Sequence, residues 1–138
     1  MTVTVLNAQR DNLVNVARMK RVAQTAVRRL RIRARGKLLV TFIDARRMRA
    51  LNKRFCRHDA DTDVLSFRYD GESIVGEVLV SPQMAHRYAR RHELSYEQEL
   101  ARYVIHGLLH WTGEDDTTPT QQQRMRHHED RLLNQCAP

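Results

Sequence analysis

Cysteine is nearly absent from this chain of 138 residues: Cys56 and Cys136 stand far apart and form no C-x-x-C pair. That excludes a disulfide framework, and nothing beside either thiol marks it as a nucleophile, so both read as buried or incidental. No apolar run approaches the ~18 residues of a membrane span, and the N-terminus lacks a secretory signal pattern. Repeats, linkers and low-complexity tracts are missing as well. These absences lead to the expectation of a soluble, cytoplasmic protein with no membrane partner. The length predicts a single domain over residues 1–138 with a hydrophobic core of its own.

Acidic residues are missing from one region in particular. Between Arg18 and Arg57 there are 15 basic residues and a single acid, Asp44, whereas from His58 onward there are 8 basic residues and 14 acids. The net charge of +8 is therefore an electropositive N-terminal slab joined to an acidic C-terminal part. A basic slab suits phosphate backbones or another anionic surface. Arginine outnumbers lysine 21 to 3, which fits bidentate phosphate contacts, although genome base composition produces the same bias and charge runs are often only a solvated face.

Residues 2–6 alternate Thr and Val as a short strand. Val16, Met19, Ala23, Ala26, Val27 and Leu30 recur at helical spacing. After Gly36, residues 37–43 read as a central strand. Asp44 caps a helix whose core stripe is Met48, Leu51 and Phe55. A polar loop over 58–63 leads into a strand at 64–68, a tight turn at Asp70-Gly71, and a returning strand at 73–80. Ser81-Pro82 opens a helix to about residue 90. Ser95 with Gln98, and Thr118 with Gln121, resemble capping boxes that open two more helices. On the last of these, His127 and His128 face apart and read as surface residues. The order β-α-β-α-β-β-α-α-α predicts an α+β domain: a small mixed four-stranded sheet covered by about five helices.

The chemistry concentrates at residues 101–116. His106 and His110 are four apart, hence on one face of a helix at about 3.6 residues per turn. Leu100, Ala101, Val104, Ile105, Leu108 and Trp111 form a stripe almost opposite them, so the histidines are not part of this helix's core face. Gly113 can end the helix with φ > 0 and fold the chain back. His106, His110, Gly113 and Asp116 then follow the spacing of the metzincin zinc signature, with Asp in place of the third His. The expectation is a three-ligand metal site of His106, His110 and Asp116 at a helix end, with an open fourth position. Glu114 and Asp115 could substitute as ligands, but the spacing favours Asp116. In a zinc peptidase the residue after the first His is the glutamate base. Here it is Gly107, which argues against proteolysis.

Upstream, residues 51–67 hold Asn52, Phe55, Arg57 just beyond, and the run Thr62-Asp63-Val64-Leu65-Ser66-Phe67; Gly76-Glu77-Val78 follows. Taken alone, Thr62-Asp63 is a polar loop pair bonding backbone amides. Together with residues 106–116, these motifs resemble the YbeY family of bacterial endoribonucleases, the rRNA maturation factors. The resemblance runs in order through nearly the whole chain. It implies an α+β fold with one divalent metal ion, expected to be zinc, held by three ligands in a cleft. It also implies hydrolysis of single-stranded RNA in maturing the small-subunit rRNA 3′ end and in ribosome quality control. The implied partners are rRNA, the small ribosomal subunit and its assembly factors. Arg57 stands where the family places an arginine lining the cleft, which implies a phosphate-binding or transition-state role.

Two positions depart from the family pattern: Asp116 replaces the third histidine, and Asp61 the usual proline. A carboxylate is a legitimate zinc ligand. It lowers the electrophilicity of the ion and opens the site to harder ions such as manganese or magnesium. The expected reaction is attack on a phosphodiester by metal-bound water or by the RNA 2′-hydroxyl, with Arg57 and His106 as the catalytic residues. Arg57 could instead serve only as a salt bridge to Asp59 or Asp61. A ribosome-binding module with a structural metal, and less so a metallopeptidase, are the competing functions.

Overall fold

The computed structural model describes residues 1–69 and 73–136; the turn expected at Asp70-Gly71 lies outside the described residues. In chain order the elements are β1 (Thr2–Asn7), α1 (Val16–Arg29), β2 (Lys37–Phe42), α2 (Ala45–Cys56), β3 (Val64–Arg68), β4 (Ile74–Val80), α3 (Pro82–Arg91), α4 (Tyr96–Trp111) and α5 (Pro119–Gln135). This is the α+β arrangement expected, a mixed four-stranded sheet with five helices. The strands lie in the order β1-β2-β4-β3. β1 and β4 each run parallel to β2, while β3 runs antiparallel to β4 at the edge.

Each helix begins on a side chain that accepts a backbone N–H: Asn15, Asp44, Ser81, Ser95 and Thr118. Such caps satisfy amide groups that have no partner inside the helix. Thr118 and Gln121 complete a reciprocal capping box. Ser95 caps α4 by accepting the Gln98 N–H at 3.3 Å.

Strand alternation sends Val3, Val5, Leu38, Val40, Phe42, Val78 and Val80 to one face of the sheet, where they are buried. α1 and α4 pack on this face, and α5 closes over both with Met125 and Leu132. On the other face α2 covers only one end, around Ile43, Met48, Leu65 and Leu79. Phe55 was expected in that core and is not: it is 57% exposed. Asn52, one turn after Met48, takes the inward place and donates through Nδ2 to Ala60 O at 3.0 Å, tying down the following loop. The last turn of α2, residues 53–56, is exposed, and Phe55 meets the sheet only edge-on, at Phe67.

The seat of α4 is unusually close to the sheet. A Cβ added at Gly107 would press into Val78 Cγ1 and come within 2.8 Å of Val64 Cγ1. Val78 is fully buried and has nowhere to move. Gly107→Ala is therefore expected to lower stability by about 1–2 kcal/mol, overpacking outweighing the better helix propensity of alanine. A lower urea midpoint at unchanged slope would show this; an equal or higher midpoint would mean that the contact yields.

Candidate metal centre

The last turn of α4 and the reversal after it build this site. Gly113 adopts φ +104°, a conformation that costs glycine least. Its N–H bonds His110 O at 2.9 Å, and Glu114 N–H bonds Leu109 O at 3.0 Å. This pair of bonds is the Schellman closure, and it turns residues 114–116 back alongside the helix. Asp116 Oδ2 thereby comes to 3.3 Å from His110 Nε2 and 3.5 Å from His106 Nε2. The two Nε2 atoms are 3.0 Å apart. All three ligand atoms lie within 4.8 Å of one another, and all three residues are half-buried.

The outer nitrogens of both rings are occupied. His106 Nδ1 is 2.6 Å from Glu129 Oε2, and His110 Nδ1 is 3.0 Å from the backbone carbonyl of Glu114. Both partners accept, so the tautomer assignment follows: each neutral ring carries its hydrogen on Nδ1 and presents a lone pair at Nε2. Two lone pairs and a carboxylate oxygen then face one point with no hydrogen among them. Such a cluster of acceptors repels itself unless a cation sits within it. Tetrahedral zinc with bonds of 2.0–2.1 Å separates its ligands by about 3.3 Å, and the three separations here fall on either side of that value. The residues fit a three-coordinate protein site for one divalent ion.

Burial pushes the His106 imidazolium down, but the hydrogen bond and charge of Glu129, with Asp63 and Asp116 beyond, win and hold its pKa above the ordinary imidazole value. Glu129 is itself buried, and Arg102 anchors it: the guanidinium reaches Glu129 at 3.2 Å, Asp130 at 2.8 Å and Glu99 at 3.5 Å. A carboxylate behind a metal-binding imidazole fixes the ring and raises its basicity. Beside the histidines opens a cavity of about 380 Å³, lined among others by Asp63, Arg102, Tyr103, His106, Asp116 and Arg126.

Of the residues picked from sequence, His106, His110 and Asp116 are brought together. Asp63 of the Thr62-Asp63 pair reaches the neighbouring cavity. Arg57 is not in contact with them. It is exposed, sits at the C-cap of α2 with φ 60°, and does not line that cavity. Nor does it serve as the salt bridge considered above: among the described residues Asp59 pairs with Arg49 and Lys53, and Asp61 with Arg87. His128 is not a simple surface residue, since it is half-buried and its Nδ1 lies 2.8 Å from Glu114 Oε2. Sequence reasoning missed Glu129 and Arg102. The available signal was an acid at the fourth position after Met125, inside the apolar stripe of α5 that Leu132 continues.

The YbeY family model, described as Endoribonuclease YbeY, matches residues 4–137. The chain belongs to the YbeY family. A relative from Salinibacter ruber, named Endoribonuclease YbeY, is 40% identical over 111 residues, covering 73% of this chain and 71% of that one. Another of the same name, from Chlorobium phaeovibrioides, is 43% identical over 93 residues, covering 67% of this chain and 63% of its own. The solution structure of a Thermotoga maritima protein superposes with a TM-score of 0.66 at 22% identity, covering 98% of this chain and 89% of that one. At that identity the likeness speaks for the fold alone.

Glu129→Gln keeps the side-chain shape and removes the charge behind His106. Zinc affinity is expected to fall about 10- to 100-fold, and Asp116→Ala, which deletes a ligand, should cost more. Competition against a chromophoric chelator measures both. Unchanged affinity in Asp116→Ala would remove that carboxylate from the ligand set.

Proposed function

We propose that this chain is a metal-dependent endoribonuclease that cuts single-stranded RNA, acting on the 3′ end of small-subunit rRNA during its maturation and in ribosome quality control. One observation carries the reading: in a chain of the YbeY family, two imidazole nitrogens and a carboxylate oxygen converge within 4.8 Å with no hydrogen to share. The matched relatives bear the name endoribonuclease, and the basic N-terminal half suits an RNA backbone. Among the described residues no helix is long and apolar enough to cross a membrane.

His106, His110 and Asp116 would hold the ion, with zinc the first choice for two imidazoles and a carboxylate. Such an ion supplies Lewis acidity toward a phosphoryl oxygen or toward water. Glu129 and the Glu114 carbonyl hold the rings in register for it, and Arg102 holds Glu129 in place. Arg57 is assigned the scissile phosphate, where a guanidinium offsets negative charge on the non-bridging oxygens. From its exposed place at the end of α2 it meets RNA lying across the loop 57–63 toward Asp63 and the cavity. A peptidase base at position 107 is sterically unavailable, because a side chain there points into β3 and β4, away from the histidines.

Cleavage of a single-stranded RNA by the purified protein is expected to stop on addition of a chelator and to return with zinc. His110→Ala should bring the rate to background, and Arg57→Ala should lower it about 10²-fold, the scale for removing one charge-stabilising donor. Variants that match the parent at equal metal content would refute the assignment. RNA binding without any metal-dependent cleavage would instead mark a binding module with a structural ion.

A further inference from the structure

The sheet face turned away from α1 and α4 is only partly covered, and its side chains can be read from the strand register. Thr4, Leu39, Glu77 and Phe67 lie abreast across the four strands, and Leu6, Thr41, Leu79 and Leu65 form the next row. α2 covers Leu65 and Leu79. Around them the face stays open: Leu6 is 47% exposed, Tyr69 44% and Phe55 57%. Phe55 stands edge-on to Phe67 with ring centroids 5.7 Å apart. The guanidinium of Arg54 lies 5.2 Å above the Phe55 ring. At the centre, Glu77 accepts hydrogen bonds from Tyr69 OH at 3.1 Å and from Thr41 Oγ1 at 3.0 Å. The α2 cations Arg46 and Arg54, and Arg57 at its end, form no salt bridge among the described residues.

From this arrangement we infer that the open sheet face is a second RNA-docking surface, on which unpaired bases stack against Phe55 and Tyr69 while their phosphates meet the arginines of α2. The inference rests on the ribonuclease reading for its choice of polyanion. Exposed aromatic rings beside an open sheet face, Phe55 on α2 and Tyr69 just after β3, suit unpaired bases, whose π faces are free, and do not suit a duplex, whose bases are stacked on each other. The carboxylate of Glu77 keeps lone pairs beyond those used by the two hydroxyls and can accept from a base amino group. Charge chooses RNA over an apolar protein partner. A protein seated on the rings would bury the edge of an arginine-rich helix without supplying anions, whereas a phosphate chain supplies one at every nucleotide.

The surface is separate from the metal centre, since the histidine face of α4 looks away from the sheet. One strand links the two. Asp63, at the start of β3, lines the cavity beside His106, and Tyr69 follows its end. Six residues at about 3.3 Å each put these ends roughly 20 Å apart. A substrate long enough to use both sites is therefore held well away from the bond that is cut.

The test measures equilibrium binding of a fluorescent single-stranded RNA to the His110→Ala protein, in which cleavage does not interfere. Adding Phe55→Ala or Tyr69→Ala is expected to weaken binding roughly ten-fold each, the scale of one lost base–aromatic stack, while Tyr69→Phe retains it. Arg54→Ala should reduce the slope of log affinity against log salt by about one. RNA carrying 5-iodouridine should cross-link to Phe55 or Tyr69, and a duplex of equal length should compete poorly. Affinity unchanged in both alanine variants, with urea midpoints showing them folded, overturns the inference. So does a self-association or protein contact that the variants abolish while RNA affinity stays the same. If the parent binds RNA through these rings but cleaves nothing, the nuclease reading falls and the docking surface stands.

Discussion

The seat of α4 on β3 and β4 is the constraint on which the rest depends. Gly107 lets the helix settle against Val64 and Val78, and a set of polar contacts then locks it in place. Ser66 Oγ donates to Gly107 O at 2.7 Å, Arg68 Nε to Trp111 O at 2.9 Å, and Trp111 Nε1 to Phe67 O at 3.1 Å. The Arg68 guanidinium also lies 4.4 Å from the Trp111 ring. With one face of α4 held this closely, the opposite face has a fixed height and rotation. The 2.6 Å contact between His106 on this face and Glu129 on α5 cannot tolerate a helix that slides or rolls. The rigid packing of the sheet side thus fixes how the imidazoles of α4 meet the carboxylate that α5 supplies behind them.

Electrostatics build outward from the same helix. Asp116 and Glu129 bring two negative charges to two imidazoles, and Arg102, shared among Glu99, Glu129 and Asp130, returns one positive charge. The remaining imbalance favours a divalent cation. With a carboxylate at position 116 the group is more negative than three imidazoles would be, a donor set that suits a harder ion. The acidic lining repels phosphates on its own account. Arg46, Arg54 and Arg57, which form no salt bridge among the described residues, stand instead on α2 and at its end, so the acidic cluster and these basic residues belong to different elements.

Much of this was legible in the residues. The helices and strands appeared where hydrophobic period and caps placed them, because each buries its stripe on one neighbouring layer. His106, His110 and Asp116, which could hold a metal ion, come from 11 consecutive residues, so local helix geometry and one glycine were enough to bring them together. Phe55, expected in the core, lies outside it: a helical stripe shows which side is apolar and not how deeply each of its residues is covered. His128 was misread because its partner, Glu114, belongs to a turn whose path depends on the Gly113 closure. Glu129 and Arg102 went unseen as a pair because they belong to different helices.

The sequence by itself determined the order of elements, the charge division and the clustering of His106, His110 and Asp116, all of which follow from composition, short-range periodicity and backbone stereochemistry. Only the tertiary structure decided the strand order β1-β2-β4-β3, the carboxylate behind His106, the reason for glycine at 107 and the uncovered aromatic face. Each of these is set by which surfaces touch across long separations in the chain, and contact of that kind leaves no periodic mark in a single sequence.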